Sequence, residues 1–176
     1  PRLRRQRQMC IRDRYYTVKE ALKKGLPVEL SLIPFVESQF DPYAQSSTGA
    51  SGIWQFIPST ARENGLKKNW WYDGRRDILA STEAAYTFLT SLYEKYDDWL
   101  IAIAAYNAGP SRIRREIEKN KSNGLPTDFW SLNLPRETKA YVPKILAIVE
   151  VIRKPNKYNI ELPYLANRPY FSVIEL

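Results

Sequence analysis

Apolar residues recur along this chain at helical spacing, in blocks separated by glycine and proline. Tyr15 to Lys24 predicts a short helix that stops at Gly25. Pro27 opens a second helix, in which Leu26, Leu30, Ile33 and Val36 mark one face as far as Glu37. Pro34 falls inside it and is expected to bend it. Phe40 to Gln55 is small, polar and glycine-containing, and reads as a loop. Pro58 starts a short helix that ends near Gly65, and a second loop holds Trp70, Trp71, Tyr72 and Asp73-Gly74. The longest helix is predicted from about Asp77 to Tyr96, with Ile78, Ala85, Phe88, Leu89, Leu92 and Tyr96 as its stripe. From Asp98 to Tyr106 the pattern is apolar nearly all round, which places that helix in the middle of a domain, with Trp99 in the core. Gly109-Pro110 starts another helix, bearing Ile113 and Ile117, and a loop follows over Asn120–Asp128. Pro135 opens a last helix with Tyr141, Ile145, Ile148, Val149 and Ile152. The stretch from Pro155 has no helical period, and Tyr170 to Leu176 is strand-like and apolar, as if cut from a longer protein.

The pattern predicts one all-α domain with irregular loops. A length of 176 residues suits a single core, and 44% apolar residues excludes a disordered chain. No apolar run is long enough to span a bilayer. The net charge of +8 is uneven, because residues 1–14 hold six Arg against Asp13 and the other 162 residues carry only +3. That leader lacks apolar periodicity and reads as a processing or assembly remnant, with a basic arm for nucleic acid or anionic lipid as the alternative. The expected organisation is a leader over 1–14, a catalytic domain over 15–153 and an extension or linker over 154–176.

Histidine is absent and Cys10 is the only cysteine. Ser-His-Asp and Cys-His machinery are excluded, as is a Cys-based zinc site, so no metal or cofactor is expected. A carboxylate is the leading catalyst. Glu37 ends an apolar helix, with Ile33 a turn behind, Phe35 and Val36 before it and Phe40 after. Partial desolvation there is expected to raise its pKa and keep it protonated at neutral pH, as a general acid requires. Taken alone, a helix-terminal Glu is more often a surface residue. Downstream, Gly49-Ala50-Ser51-Gly52-Ile53-Trp54-Gln55 can bring backbone close to a ligand, with Trp54 offering a face and Gln55 a polar group. Tyr106-Asn107 emerges from the most apolar helix just before Gly109-Pro110 and can line a cleft, or cap the helix.

In this order, Glu37-Ser38, then Gly49 to Pro58, then Ala105-Tyr106-Asn107-Ala108-Gly109, the motifs resemble the lytic transglycosylase family with its goose-type lysozyme-like fold. Pro34 to Phe40, Asp128-Phe129-Trp130 and Leu134 to Pro143 extend the resemblance to a membrane-bound branch, over roughly residues 15–153. The resemblance implies cleavage of the bond between N-acetylmuramic acid and N-acetylglucosamine in peptidoglycan. Glu37 matches the acid that later acts as base. Ser46 matches a residue that hydrogen-bonds substrate near the acid, and Gln55 and Ile57 match positions flanking the scissile bond. Tyr106 and Asn107 match the cleft floor, while Glu137 and Tyr141 match the late motif that completes it. Trp54 stands where many relatives carry Met, and the resembled branch accepts Trp.

The resemblance implies a single acid and a substrate that supplies its own nucleophile. Asp41, before Pro42, reads as a turn residue. A goose-type-lysozyme-like hydrolase and a non-catalytic glycan-binding module are the competing readings. Peptidoglycan glycan strands are the expected partner, reached in the periplasm or cell envelope by a monomer with peripheral envelope association. Nucleic acid is not expected: Lys67-Lys68, Arg75-Arg76 and Arg112-Arg114-Arg115 are separate clusters with no single basic stripe. Trp70 and Trp71 are the better candidates for stacking on sugars.

Overall fold

The computed structural model describes residues 14–162 and is all-helical, with seven α-helices, two 3-10 turns and no strand longer than an isolated bridge among those residues. The expected strand-like run at Tyr170–Leu176, and all but the last residue of the leader, lie outside them. The helices are α1 (14–23), α2 (Ile33–Ser38), α3 (Pro58–Glu63), α4 (Ile78–Tyr96), α5 (Trp99–Ala108), α6 (Pro110–Ser122) and α7 (Arg136–Arg153). They fall into two compact units. One runs from the N-terminal side to Ala85 and resumes at Ile148; the other is Tyr86–Ala147.

In the first unit, the expected bent helix from Pro27 is two elements. A 3-10 turn, Val28–Leu32, precedes α2, and Pro34 sits in the first turn of α2. A proline N–H would be unbonded there in any case, so the break falls before the proline and no helical hydrogen bond is lost. Leu30, Ile33 and Phe40 are buried, together with Ile53, Trp54 and Phe56 from the loop that follows. Asp77 caps α4 by accepting the N–H groups of Leu79 and Ala80 at 2.9 and 3.0 Å. Lys24 pairs with Glu83 at 2.8 Å, and Arg153 pairs with Glu29.

The second unit is built round α5, whose residues Ile101 to Ala105 are all buried. Asp98 caps it, accepting the N–H groups of Leu100 and Ile101. Trp99 is half-buried and stacks on Tyr93 at 4.3 Å, so it flanks the core and is not part of it. α6 packs on α5 and runs on to Ser122, past the expected start of the loop at Asn120. Asn120 is buried at that helix end, and its amide donates to the carbonyls of Pro126 and Ser131. A polar residue that reads as a loop signal thus pins the loop from inside the helix.

Candidate active site

The eight candidate site residues divide into two sets, each within one unit. The first set begins at Glu37, half-buried in the last turn of α2. Of its expected apolar surroundings, Ile33 and Phe40 are buried, whereas Phe35 is largely exposed. The helix stops because Gln39 and Phe40 both adopt left-handed backbone, at φ 54° and 61°. Left-handed geometry at an aromatic residue is uncommon and costs about 1–2 kcal/mol, and here the buried Phe40 ring holds it. Ser38 then donates its hydroxyl to the Ile53 carbonyl at 2.9 Å, tying the end of α2 to the glycine-containing loop.

That loop is pinned at almost every residue. The Ser46 hydroxyl accepts the Ala50 N–H at 3.0 Å and pairs with the Thr48 hydroxyl at 2.9 Å. Gln55, also left-handed at φ 49°, donates its side-chain amide to the carbonyls of Gly52 and Ala44 at 2.8 and 3.2 Å. Trp54 is fully buried and donates its indole N–H to Thr82 at 3.0 Å. It therefore does not offer its face to a ligand: in a loop this tightly folded, the large apolar side chain becomes the anchor. Ile57 is exposed, immediately before α3.

The sequence reading missed Arg75. It is buried and forks onto Asp73, at 2.6 and 2.9 Å, while its other nitrogen donates to the carbonyls of Gly49 and Phe56. Hydrogen bonding to Arg75 holds the Asp73 carboxyl below its ordinary pKa, and the same bond raises that of Arg75. Gly52, at φ 83°, lies so close to Arg75 that a Cβ would sit 1.7 Å from its carbonyl oxygen. The Asp-Gly-Arg spacing was the available signal, but a polar turn looks alike whether its arginine is solvated or buried.

The second set lies on α5 and α7. Tyr106 is half-buried, with its ring 5.7 Å from that of Phe88. Asn107 accepts the hydroxyl of buried Thr138 at 2.8 Å, joining the two late motifs. Glu137 is exposed in the first turn of α7 and Tyr141, one turn on, is buried. Gly109 ends α5, so Asn107 is a bonded residue of the last turn and not the cap.

An all-helical domain with a half-buried glutamate at a helix end, tied to a rigid glycine-containing loop, falls in the lysozyme-like class. Residues 15–127 match the Transglycosylase SLT domain family, and the chain belongs to that family. It is 44% identical to membrane-bound lytic murein transglycosylase D of Escherichia coli K12, over 92% of this chain and 39% of that protein. It is 33% identical to peptidoglycan transglycosylase gp16 of Escherichia phage T7, over 69% of this chain and 9% of that one. Among solved structures it is similar to an inactive Glu-to-Gln mutant of lytic transglycosylase Slt from Pseudomonas aeruginosa. There the TM-score is 0.55 and the identity 26%, over 82% of this chain and 24% of the other. The chain spans about two fifths of the length of the E. coli relative. Among the described residues, no helix is long and apolar enough to cross a membrane.

Proposed function

We propose that this domain cleaves the β-1,4 bond between N-acetylmuramic acid and N-acetylglucosamine in peptidoglycan, leaving 1,6-anhydromuramoyl ends, with Glu37 as acid and then base. Membership of the family carries the reading. It is supported by the position of Glu37 on a short helix whose end is bonded to a pinned loop. A relative of similar fold, inactive as a Glu-to-Gln mutant, supports an essential glutamate.

The chemistry follows from one carboxyl. Its protonated form gives the proton to the leaving glycosidic oxygen, while the substrate's own N-acetyl group stabilises the anomeric carbon. The resulting carboxylate takes the proton of the muramic acid C6 hydroxyl, whose oxygen attacks the anomeric carbon and closes the anhydro ring. No water is consumed, and the internal nucleophile has the advantage of proximity. Ser46 and Gln55 keep the loop beside Glu37 in one shape, with Ile57 at its exposed rim. Tyr106, Asn107, Glu137 and Tyr141 form the second substrate-contacting set. The enzyme acts in the periplasm or at the cell envelope, as a monomer.

Glu37→Gln is expected to lower turnover of purified sacculi by about 10²–10⁴-fold with the melting temperature unchanged. Substantial activity in that variant would remove Glu37 from the mechanism. Mass spectrometry of the parent digest identifies the reaction. Anhydro-ended products, one water lighter than reducing ends, are expected, and reducing ends would make the enzyme a lysozyme-like hydrolase.

A further inference from the structure

Two tryptophans that belong to neither residue set stand almost wholly in solvent. Trp70 and Trp71 are 88% and 91% exposed, at adjacent positions. Tryptophan is the most costly side chain to leave wet, and exposed aromatic clusters mark interaction sites. The backbone beneath them is not loose. Asn69 donates its N–H to the Tyr72 carbonyl at 2.8 Å, and its side-chain oxygen accepts the N–H groups of Trp71 and Tyr72 at 2.8 and 2.7 Å. Tyr72 donates its hydroxyl to Asp77 at 3.0 Å, and Gly74 donates to the Lys67 carbonyl at 2.9 Å. The pair is therefore displayed by a braced turn, and little ordering remains to be done on binding.

The surface at the pair is concave on two sides. Hollows of about 510 and 570 Å³ share the wall made by Lys68, Asn69 and Trp70. The first also takes in Trp71, Arg76 and Gln45, next in sequence to Ser46, and both reach Arg75, which holds the Gly49 carbonyl. The hollows thus reach the loop that Ser38, next to Glu37, ties to the end of α2. Lys68, Arg75 and Arg76 outnumber Asp73 and Asp77 at the first hollow, and Arg62, Lys68 and Arg75 outnumber Asp73 at the second, so the rim keeps a cationic excess although Lys68 lies 4.0 Å from Asp73.

We propose that Trp70 and Trp71 form a carbohydrate-stacking platform that grips an N-acetylated, carboxylate-bearing glycan strand outside the Glu37 site. Flat indole faces suit the apolar faces of pyranose rings, and the cationic rim suits the carboxylates of lactyl and peptide groups. A concave, polar-rimmed surface beside the catalytic loop favours a strand over a flat bilayer. The platform rests on the glycan reading of the site given above.

The test uses the full chain, an N-acetylglucosamine hexamer and purified sacculi as probes, and the double variant Trp70→Ala/Trp71→Ala. Affinity for both probes is expected to weaken about tenfold, with an unchanged melting temperature because neither ring is packed. Trp70→Tyr/Trp71→Tyr is expected to restore most of it, since a ring face remains. Parental affinity in the double alanine variant would overturn the platform. So would a loss confined to anionic phosphatidylglycerol vesicles, which would make the pair a membrane contact. Product analysis of the parent separates the two proposals: anhydro products with unaltered binding in the variant sink the platform alone, and tryptophan-dependent binding without cleavage sinks the catalytic reading alone.

Discussion

Gly52 shows how little of this site is decided by residues that touch substrate. Its left-handed backbone and the carbonyl of Arg75 leave no room for a side chain, since a Cβ would lie 1.7 Å from that oxygen. Gly52→Ala is expected to destabilise the protein by about 3 kcal/mol, from strain and displacement together, and chemical denaturation measures it. Arg75 is the other half of the contact. Arg75→Met would leave Asp73 charged in a largely buried place and strip a donor from two loop carbonyls, at an expected cost of about 3–5 kcal/mol. An activity loss larger than the unfolded fraction explains would show that the brace also positions the loop beside Glu37. These residues mark the limit of what the sequence made legible. Glycine at position 52 was visible as a need for close approach, but the partner approached, 23 residues on, was not. Trp54 was misread for the same reason: whether an indole faces a ligand or the core depends on the loop's path, which no local pattern encodes.

Helices were easier to read than loops because their signal repeats. The stripe of α4 and the apolar run of α5 define those elements within a residue or two. Asp98, the first polar residue before the apolar run, accepts two N–H groups at the start of α5. Asp98→Ala is expected to cost about 1 kcal/mol, seen as a lower denaturation midpoint with an unchanged slope. Where a helix contained proline, the pattern gave the element but not its form. A 3-10 turn and an α-helix share apolar spacing over one turn, so the break before Pro34 was invisible, although the position of Glu37 at the helix end was not. The link between α5 and α7 was also hidden, because Asn107 and Thr138 are 31 residues apart. Thr138→Val keeps the shape and removes the hydroxyl. It is expected to destabilise by about 1 kcal/mol, and in combination with Asn107→Ala the two effects should fall short of additivity.

At the scale of the whole chain, the missing histidine governs how pH acts. No side chain has an ordinary pKa between 5 and 8, so any slope of folding stability there must come from a group displaced from its ordinary value or from the α-amino group. The acid flank comes from Asp73, with Asp128 and Glu150 also lowered, and the alkaline flank from Tyr16, with Tyr72 and Tyr96 also raised. Asp73 is held below its usual value by Arg75, so the unfolded chain binds its proton first as pH falls. The stabilisation is complete above the ordinary carboxylate pKa of about 4 and is lost below it. Tyr16 is pushed up to about 12, by burial first and then by Glu20, Glu83 and Asp77. The unfolded chain releases that proton first as pH rises, so stability is complete below about pH 10 and falls between about 10 and 12. Tyr16→Phe is expected to make the alkaline flank shallower, with Tyr72 and Tyr96 keeping the rest, which melting temperatures at pH 8 and 11 would show; an unchanged alkaline slope would remove Tyr16 from it. The absence of histidine also sharpens the test of the catalyst. A limb of the turnover profile between pH 5 and 8 is expected from a carboxyl with a raised pKa, and melting temperatures over the same range separate it from unfolding. That limb should vanish with the activity in Glu37→Gln and persist in Asp41→Asn, whose parent carboxyl accepts the Tyr43 N–H in a turn at 2.9 Å.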